Sequence, residues 1–199
     1  MKIVDGEVVV GTIDGEPAIG ICGSGLVDAC AVLVDAGLLD HSGRFVTNEL
    51  AAQISPTLAT RLIERDGERI FVLEGDIFLS QRDVRELQFA KAAIATGWAL
   101  LLEEFNVQES DVQQVLLAGS FGSYLSPASA VRIGLVPKLP TLRIVSAGNV
   151  AGEGAKMALL SLQERKGALA LLEEIHYVEL SDRTDFNDKF VDRLAFPAK

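Results

Sequence analysis

Hydrophobic residues in the first third of the chain alternate between short runs and one stretch with helical spacing. The runs at 7–11 and 17–21 predict two short strands that pair as a hairpin. Residues 26–36 place apolar side chains every three or four positions and therefore predict a helix with one buried face. The polar segment 40–69 predicts irregular structure with one short helix near 58–64.

The longest periodic stretch predicts a helix that begins after Ser80 and ends near Phe105. Ser80 and Asp83 have the spacing of a capping box, in which each side chain bonds the backbone N–H of the other residue. The run 69–73 before it predicts a strand. Steps of three and four residues, or multiples of them, define a predicted buried stripe of Val84, Leu87, Ile94, Trp98, Leu101 and Phe105. Lys91 fills the missing step of this stripe, and such a lysine either extends its ammonium group to solvent or contacts an anion or ribose.

The second half of the chain alternates predicted strands and helices. Strands are predicted at 113–118 and 142–146, and helices at 127–133, 152–162 and 168–175. Alternation of this kind is typical of α/β or α+β domains. With 199 residues, of which 49% are apolar, the chain is long enough for one sizeable domain or two small lobes.

Two glycine-rich turns follow the predicted strands of the second half, and each leads into a helix. The first runs from Gly119 to Gly122 and the second from Gly148 to Gly152. Because glycine has no Cβ, such turns let the backbone approach a flat base or a phosphate, and the first amides of the next helix can bind an anion. The pattern favours a nucleotide cradle, but two ordinary strand-to-helix connections would have the same sequence signature.

The chain carries a net charge of −10, which argues against a nucleic-acid partner because nucleic acids bind concentrated basic surfaces. No apolar run is long enough for a membrane span, and the first residues lack the pattern of a signal peptide. We therefore expect a cytoplasmic protein with no membrane partner. The two cysteines, Cys22 and Cys30, provide neither a disulfide framework nor a metal-binding spacing.

A third glycine motif, Gly23-Ser24-Gly25, follows a predicted strand and opens the first helix, which Ser24 is expected to cap. It departs from the dinucleotide-binding fingerprint because Asp28 stands where the third glycine would be. Its amides could still hold a phosphate or a ribose oxygen. Cys22, just before it, is either a small buried side chain or a reactive thiolate that ligates a cluster, for which this chain lacks the four thiolates required.

Four segments in order resemble the C-terminal ATPase domain of the reductive activators of corrinoid proteins. These activators belong to the superfamily of acetate and sugar kinases, Hsp70 and actin. The segments are GICGSGLVDA (20–29), LSQRDVRELQFAKAAI (79–94), LLAGSFGSY (116–124) and GNVAGEGAKMAL (148–159). The resemblance covers about residues 15–165, and four ordered segments are much more specific than one glycine turn.

The resemblance implies an α/β fold, an actin-like ATPase lobe of ribonuclease-H type with a mixed sheet and an inserted helical subdomain at about 40–110. Residues 1–199 would form the second lobe as a single fragment. The first lobe and a ferredoxin-like N-terminal domain, which carries the iron–sulfur cluster of the family, would lie outside it. In that family ATP with Mg²⁺ helps drive an electron uphill onto the cobalt of an inactivated corrinoid protein. The implied partners are a corrinoid protein and a low-potential electron donor, with a homodimer as a further option.

The resemblance also implies roles for single residues in two of its segments. An adenosine motif, where the strand end meets the base and the ribose, would comprise Gly119, Ser120, Phe121 and Gly122. Gly148 and Asn149 would begin the second connecting motif, whose helix packs against its counterpart across the hinge between the lobes.

The two earlier segments carry further implied contacts. Arg85, Gln88 and Lys91 would lie on a helix that reaches the purine and the ribose. The loop of Gly23, Ser24 and Gly25 resembles a small loop near the nucleotide in activases of 2-hydroxyacyl-CoA dehydratases, which place a cluster-ligating cysteine there.

The Asp-containing phosphate loops that position Mg²⁺ and the attacking water in two-lobed ATPases are not visible in the sequence. We therefore expect this chain alone to bind nucleotide weakly and to hydrolyse it negligibly. Two alternatives stay open. One is a docking or dimerisation module that keeps the fold without nucleotide, and the other is a lobe of a sugar or acid kinase.

Overall fold

The structure is a computed structural model that describes residues 1–198. Its strands form two antiparallel sheets and one parallel pair. The strands are β1 (Lys2–Val4), β2 (Glu7–Val9), β3 (Leu62–Arg65), β4 (Glu68–Glu74), β5 (Ile77–Ser80), β6 (Val115–Ala118) and β7 (Ile144–Gly148). The helices are α1 (Gly23–Asp35), α2 (Asn48–Ile54), α3 (Pro56–Ala59), α4 (Gln81–Glu104), α5 (Gly119–Tyr124), α6 (Pro127–Ile133), α7 (Val150–Leu160), α8 (Leu162–Leu171) and α9 (Phe186–Asp192). This mixture confirms the α/β class.

The N-terminal hairpin lies closer to the start of the chain than the sequence pattern predicts. It is formed by β1 and β2, while residues 17–22 contain no strand, so the predicted pairing of 7–11 with 17–21 is wrong. The reason is the turn between β1 and β2, where Asp5 and Gly6 both have positive φ angles. Two such residues in succession close the tight turn whose twist matches that of paired strands.

Residues 40–110 contain an antiparallel sheet in the order β3-β4-β5, together with α2, α3 and α4. The short helix predicted near 58–64 is replaced by α3 and β3, and β5 was not predicted. The capping box of α4 is confirmed, because Ser80 Oγ accepts a hydrogen bond from the Asp83 N–H at 3.1 Å and Asp83 Oδ2 accepts one from the Ser80 N–H at 2.9 Å.

The buried face of α4 agrees with the predicted stripe at Val84 and Leu87 and differs from it farther along the helix. Ile94 and Phe105 are 53% and 58% exposed, whereas Lys91 and Ala95 are buried. The buried side faces residues 193–198, which we call the C-terminal segment, and α9 also packs against α4. Burial on α4 therefore follows these long-range contacts and not the positions of its largest apolar residues.

The C-terminal segment is fixed to the body of the protein. Phe196 is 2% exposed and joins the hydrophobic core, and its N–H donates to the carbonyl of His41 at 2.8 Å. Arg183 and Lys189 both form ion pairs with Glu103, which joins α9 to the end of α4. These contacts hold α9 and the segment after it in place.

The second half has the predicted alternation of strands and helices, but α8 spans Leu162–Leu171 and not the predicted 168–175. β6 and β7 pair in parallel, and each leads directly into a helix, α5 and α7 respectively. α6 has the predicted bounds, with Ser126 as its capping residue and Gly134, at a φ of 76°, as its end. Within residues 1–198, no helix is both long and apolar enough to cross a membrane.

Candidate functional site

The parallel pairing of β6 and β7 brings the two glycine turns side by side. Ala118 lies opposite Gly148 in the register, so Gly119 and Gly148 occupy the same edge of the pair. Their φ angles are 83° and 66°, a region that residues with a Cβ enter only with strain. A Cβ built at either glycine would have no heavy atom within 4 Å, so the space in front of both turns is open.

Two other predicted glycines make close contacts. A Cβ at Gly122 would lie 2.8 Å from the carbonyl carbon of Leu117, so the absence of a side chain lets α5 pack directly on β6. A Cβ at Gly23 would lie 3.1 Å from Cε2 of Phe121, which places the first turn of α1 against α5. The structure therefore brings the Gly23 loop next to the turn at Gly119.

The first turn of α1 is capped by Cys22. Its Sγ accepts a hydrogen bond from the Gly25 N–H at 3.4 Å, and Ser24 Oγ lies 3.4 Å from the same sulfur. The expectation that Ser24 caps the helix is wrong because α1 begins at Gly23 and Ser24 is already in its first turn. The hydrogen bond between Cys22 and the Ser24 side chain, followed by the one that the Gly25 N–H donates, lowers the pKa of the exposed Cys22 thiol below its ordinary value.

A cavity of about 340 Å³ opens beside this capped turn. Cys22, Gly23 and Leu26 form one side of it, and Ile77 and Phe78 of β5 belong to another. The sequence prediction missed the β5 wall because the strand is only four residues long. The apolar run directly before the capping box is the signal that could have indicated it.

Asn149 opens α7, which starts two residues earlier than predicted. Its side-chain Oδ1 accepts a hydrogen bond from the Gly152 N–H at 3.0 Å. A Cβ at Gly152 would lie 2.6 Å from the Asn149 side chain, so this glycine leaves room for the cap. Asn149 therefore orders the second glycine turn through a local contact.

Arg85, Gln88 and Lys91 lie on the side of α4 that faces the C-terminal segment, and their described hydrogen bonds do not reach the glycine turns. Their backbone acceptors are the carbonyls of Ser42 for Arg85 and Gln88, of Leu194 for Gln88 and of Ala195 for Lys91. Lys91 does not extend into solvent, since its side chain is only 2% exposed. The structure thus separates these three residues from the glycine turns.

The site combines open backbone with one capped helix end. Such a surface can accept a flat ring, because no side chain stands in front of Gly119 or Gly148. The Gly25 N–H is already bonded to Cys22, so an anionic oxygen at the start of α1 would meet the amides of Gly23 and Ser24. Within residues 1–198, no three His, Cys, Asp or Glu side chains are grouped so as to hold a metal ion.

Two known proteins are similar in sequence to this chain over more than nine-tenths of its length. The corrinoid activation enzyme RamQ of Eubacterium limosum is 34% identical over 200 residues, which cover 96% of this chain and 34% of that protein. The Co(II) methylated amine-specific corrinoid protein reductase of Methanosarcina barkeri is 21% identical over 184 residues, which cover 92% of this chain and 30% of the relative. The chain therefore spans about a third of the length of these relatives.

A solved structure shows the same fold. It is that of a reductive activator for corrinoid, iron-sulfur protein, which superposes with a TM-score of 0.76 at 32% identity over 89% of this chain and 28% of its own. The family described as the C-terminal domain of RACo, the ASKHA domain, matches residues 2–199. The chain therefore belongs to the family of C-terminal, actin-like ATPase domains of reductive activators of corrinoid proteins.

Proposed function

We propose that this chain is the nucleotide-binding half of an ATP-dependent reductive activator, which restores an inactivated corrinoid protein by driving electron transfer to cobalt. The observation that carries the proposal is the pair of open glycine turns at the carboxyl ends of β6 and β7. Gly119 and Gly148 both leave empty the space that a Cβ would occupy, and they lie at one edge of the parallel pair. A purine and its ribose need this kind of close backbone approach.

The first turn of α1 supports a phosphate position in the proposed site. Gly23 lies against Phe121, so the N-terminus of α1 is next to the adenosine turn. No acidic residue stands in that first turn, while Asp76 and Asp83 line the cavity beside it. An anion there would meet the amides of Gly23 and Ser24 and the positive end of the helix dipole. ATP with Mg²⁺ would supply binding and hydrolysis energy, while the residues of this chain orient the base and the phosphates.

The hairpin of α7 and α8 supports the placement of this chain as one lobe of a larger ATPase. Neither helix has a buried residue, and both expose large apolar side chains. These are Val150, Met157, Leu159, Leu160, Leu162, Leu169 and Leu171. We propose that the other lobe covers this surface and that closure about α7 transmits the nucleotide state to the redox partners, a corrinoid protein and a low-potential electron donor.

The decisive experiment compares two glycine substitutions in the full-length protein. Gly119→Ala adds a Cβ to the open turn and strains a positive φ, at a cost of about 1–2 kcal/mol. Gly67→Ala is the matched control, because Gly67 also has a positive φ of 76° and open space around its Cβ position but lies in the β3–β4 turn. Both variants should lose similar stability, and only Gly119→Ala should lose affinity for a fluorescent ATP analogue.

The results of these measurements distinguish the proposed nucleotide site from a docking module and from a kinase lobe. Equal nucleotide affinity of the Gly119→Ala and Gly67→Ala variants would refute the cradle. Mg-ATP should raise the melting temperature of the unmodified full-length protein, since a ligand that binds only the native state stabilises it. No such rise would favour the docking or dimerisation module, and phosphorylation of a sugar or an acid in a coupled assay would favour the kinase.

A further inference from the structure

One cavity formed by the described residues lies away from the glycine turns. It has a volume of about 550 Å³ and lies between α4, α6 and the C-terminal segment. A cavity of this size matches those that bind small organic molecules. Its lining includes Ala95, Trp98, Val131 and Val136, which would favour a ligand with an apolar or aromatic body.

One buried cation projects into this mostly apolar space. Lys91 is 2% exposed, its Nζ donates to the carbonyl of Ala195, and the Phe196 ring centre lies 5.5 Å away. No carboxylate of residues 1–198 lies within 4.0 Å of this Nζ. Burial, and then the nearby Arg193, lower the pKa of Lys91 to about 8. A buried ammonium group without an anionic partner is costly, and a bound anion would offset that cost.

Some of the charged groups that line the cavity, Arg132, Asp35 and Glu109, already have partners within the protein. Arg132 forms an ion pair with Asp35, and Glu109 accepts a hydrogen bond from the Lys138 N–H at 2.7 Å. The guanidinium group of Arg132 is therefore not arranged for two-point recognition of a phosphate, whereas a single lysine suits a ligand with one negative charge.

We propose that the cavity between α4, α6 and the C-terminal segment binds a small organic carboxylate with an apolar or aromatic body, whose carboxylate pairs with Lys91. This site is separate from the proposed nucleotide cradle, because no residue of the glycine turns lines it. The two proposals can therefore fail independently.

Trp98 provides the assay, because it lines the cavity and is the one tryptophan of the sequence. The probes are dansylglycine, which carries a carboxylate, and neutral dansylamide, and energy transfer from Trp98 reports their binding. Dansylglycine should bind at least about tenfold more tightly, the typical effect of a hydrogen bond to a charged group. Lys91→Met should remove this preference. The matched control Lys138→Met removes an exposed charge from the same cavity and should change the affinity by less than about twofold.

A pH titration of the unmodified protein gives an answer even if Lys91→Met does not fold. Asp35 of α1, Arg132 of α6, Asp192 of α9, and Glu109, Lys138 and Arg193 of the connecting segments also line the cavity. Lys91, whose pKa is lowered to about 8, loses its proton between pH 7 and 9.5, so the positive charge that would pair with the ligand carboxylate disappears over this range. The affinity for dansylglycine should fall about tenfold or more and that for dansylamide should stay constant. Equal binding of the two probes, no binding of dansylglycine, or parallel pH profiles would overturn the proposal.

Discussion

Replacing Lys91 by methionine should change how the stability of the protein depends on pH. Methionine has a similar length and keeps the apolar contacts of the side chain inside the fold, but it removes the ammonium group. The substitution also removes the hydrogen bond to the Ala195 carbonyl and the contact with the Phe196 ring. Methionine has no titratable group. The pH-dependent part of the difference in the free energy of unfolding between the two proteins therefore comes from Lys91.

The sign and the size of this pH dependence follow from the lowered pKa of Lys91. Burial and the nearby Arg193 lower the pKa of Lys91 from 10.5 to about 8 in the folded state. Between these two values the unfolded chain binds more protons than the folded one, so the free energy of unfolding of the unmodified protein rises with pH. Integration from pH 7 to pH 9.5 gives a gain of about 2 kcal/mol over the Lys91→Met variant.

The assay is urea unfolding of both proteins at pH 7 and pH 9.5, followed by circular dichroism. Other groups titrate in both proteins, and their contribution cancels in the difference between the two free energies of unfolding. A difference that stays constant within about 0.5 kcal/mol would show that Lys91 has no lowered pKa in the folded state. It would also contradict the burial of an ammonium group without an anionic partner, on which the carboxylate site depends.

One further substitution and one chemical label test other parts of the fold. Gly122→Ala should destabilise the protein by about 1–3 kcal/mol in urea unfolding, because its Cβ would collide with the backbone of Leu117, and an unchanged midpoint would contradict the close packing of α5 on β6. Iodoacetamide should alkylate the exposed Cys22 in the native protein, whereas Cys30, whose thiol pKa burial raises to about 12, should react only after unfolding. Peptide mass spectrometry gives the order of labelling, and earlier modification of Cys30 would contradict it.

The elements that the sequence predicted well are those with a local cause. The capping box of Ser80 and Asp83 depends on two residues three positions apart, and it fixes the start of α4. Ser126 and Gly134 define α6 in the same way, with a hydroxyl cap at one end and a left-handed glycine at the other. Such signals are complete within a few residues, so distant packing does not alter them.

The sequence predicts less well the surroundings of residues that depend on distant partners. The interpretation that Lys91 extends to solvent is wrong, because the C-terminal segment covers it through a contact that joins residues 104 positions apart. Gly122 shares its sequence motif with the open Gly119, yet its close neighbour is the backbone of Leu117, and its contact with a nucleotide stays a prediction. A single sequence shows where glycine is needed but not whether a ligand or another part of the chain occupies the free space.

The distribution of charge determines how much of a nucleotide site this chain can provide. A helix N-terminus contributes about half an elementary charge, and the triphosphate of ATP carries several negative charges. The basic side chain of Lys156 on α7 is paired with Glu153, and Arg85 and Lys91 face Ser42 and the C-terminal segment. In the proposed function the glycine turns therefore contribute shape, and Mg²⁺ and the other lobe contribute most of the charge neutralisation. Nucleotide affinity would then depend on closure of the two lobes, and this dependence is what would let the bound nucleotide control the arrangement of the whole activator.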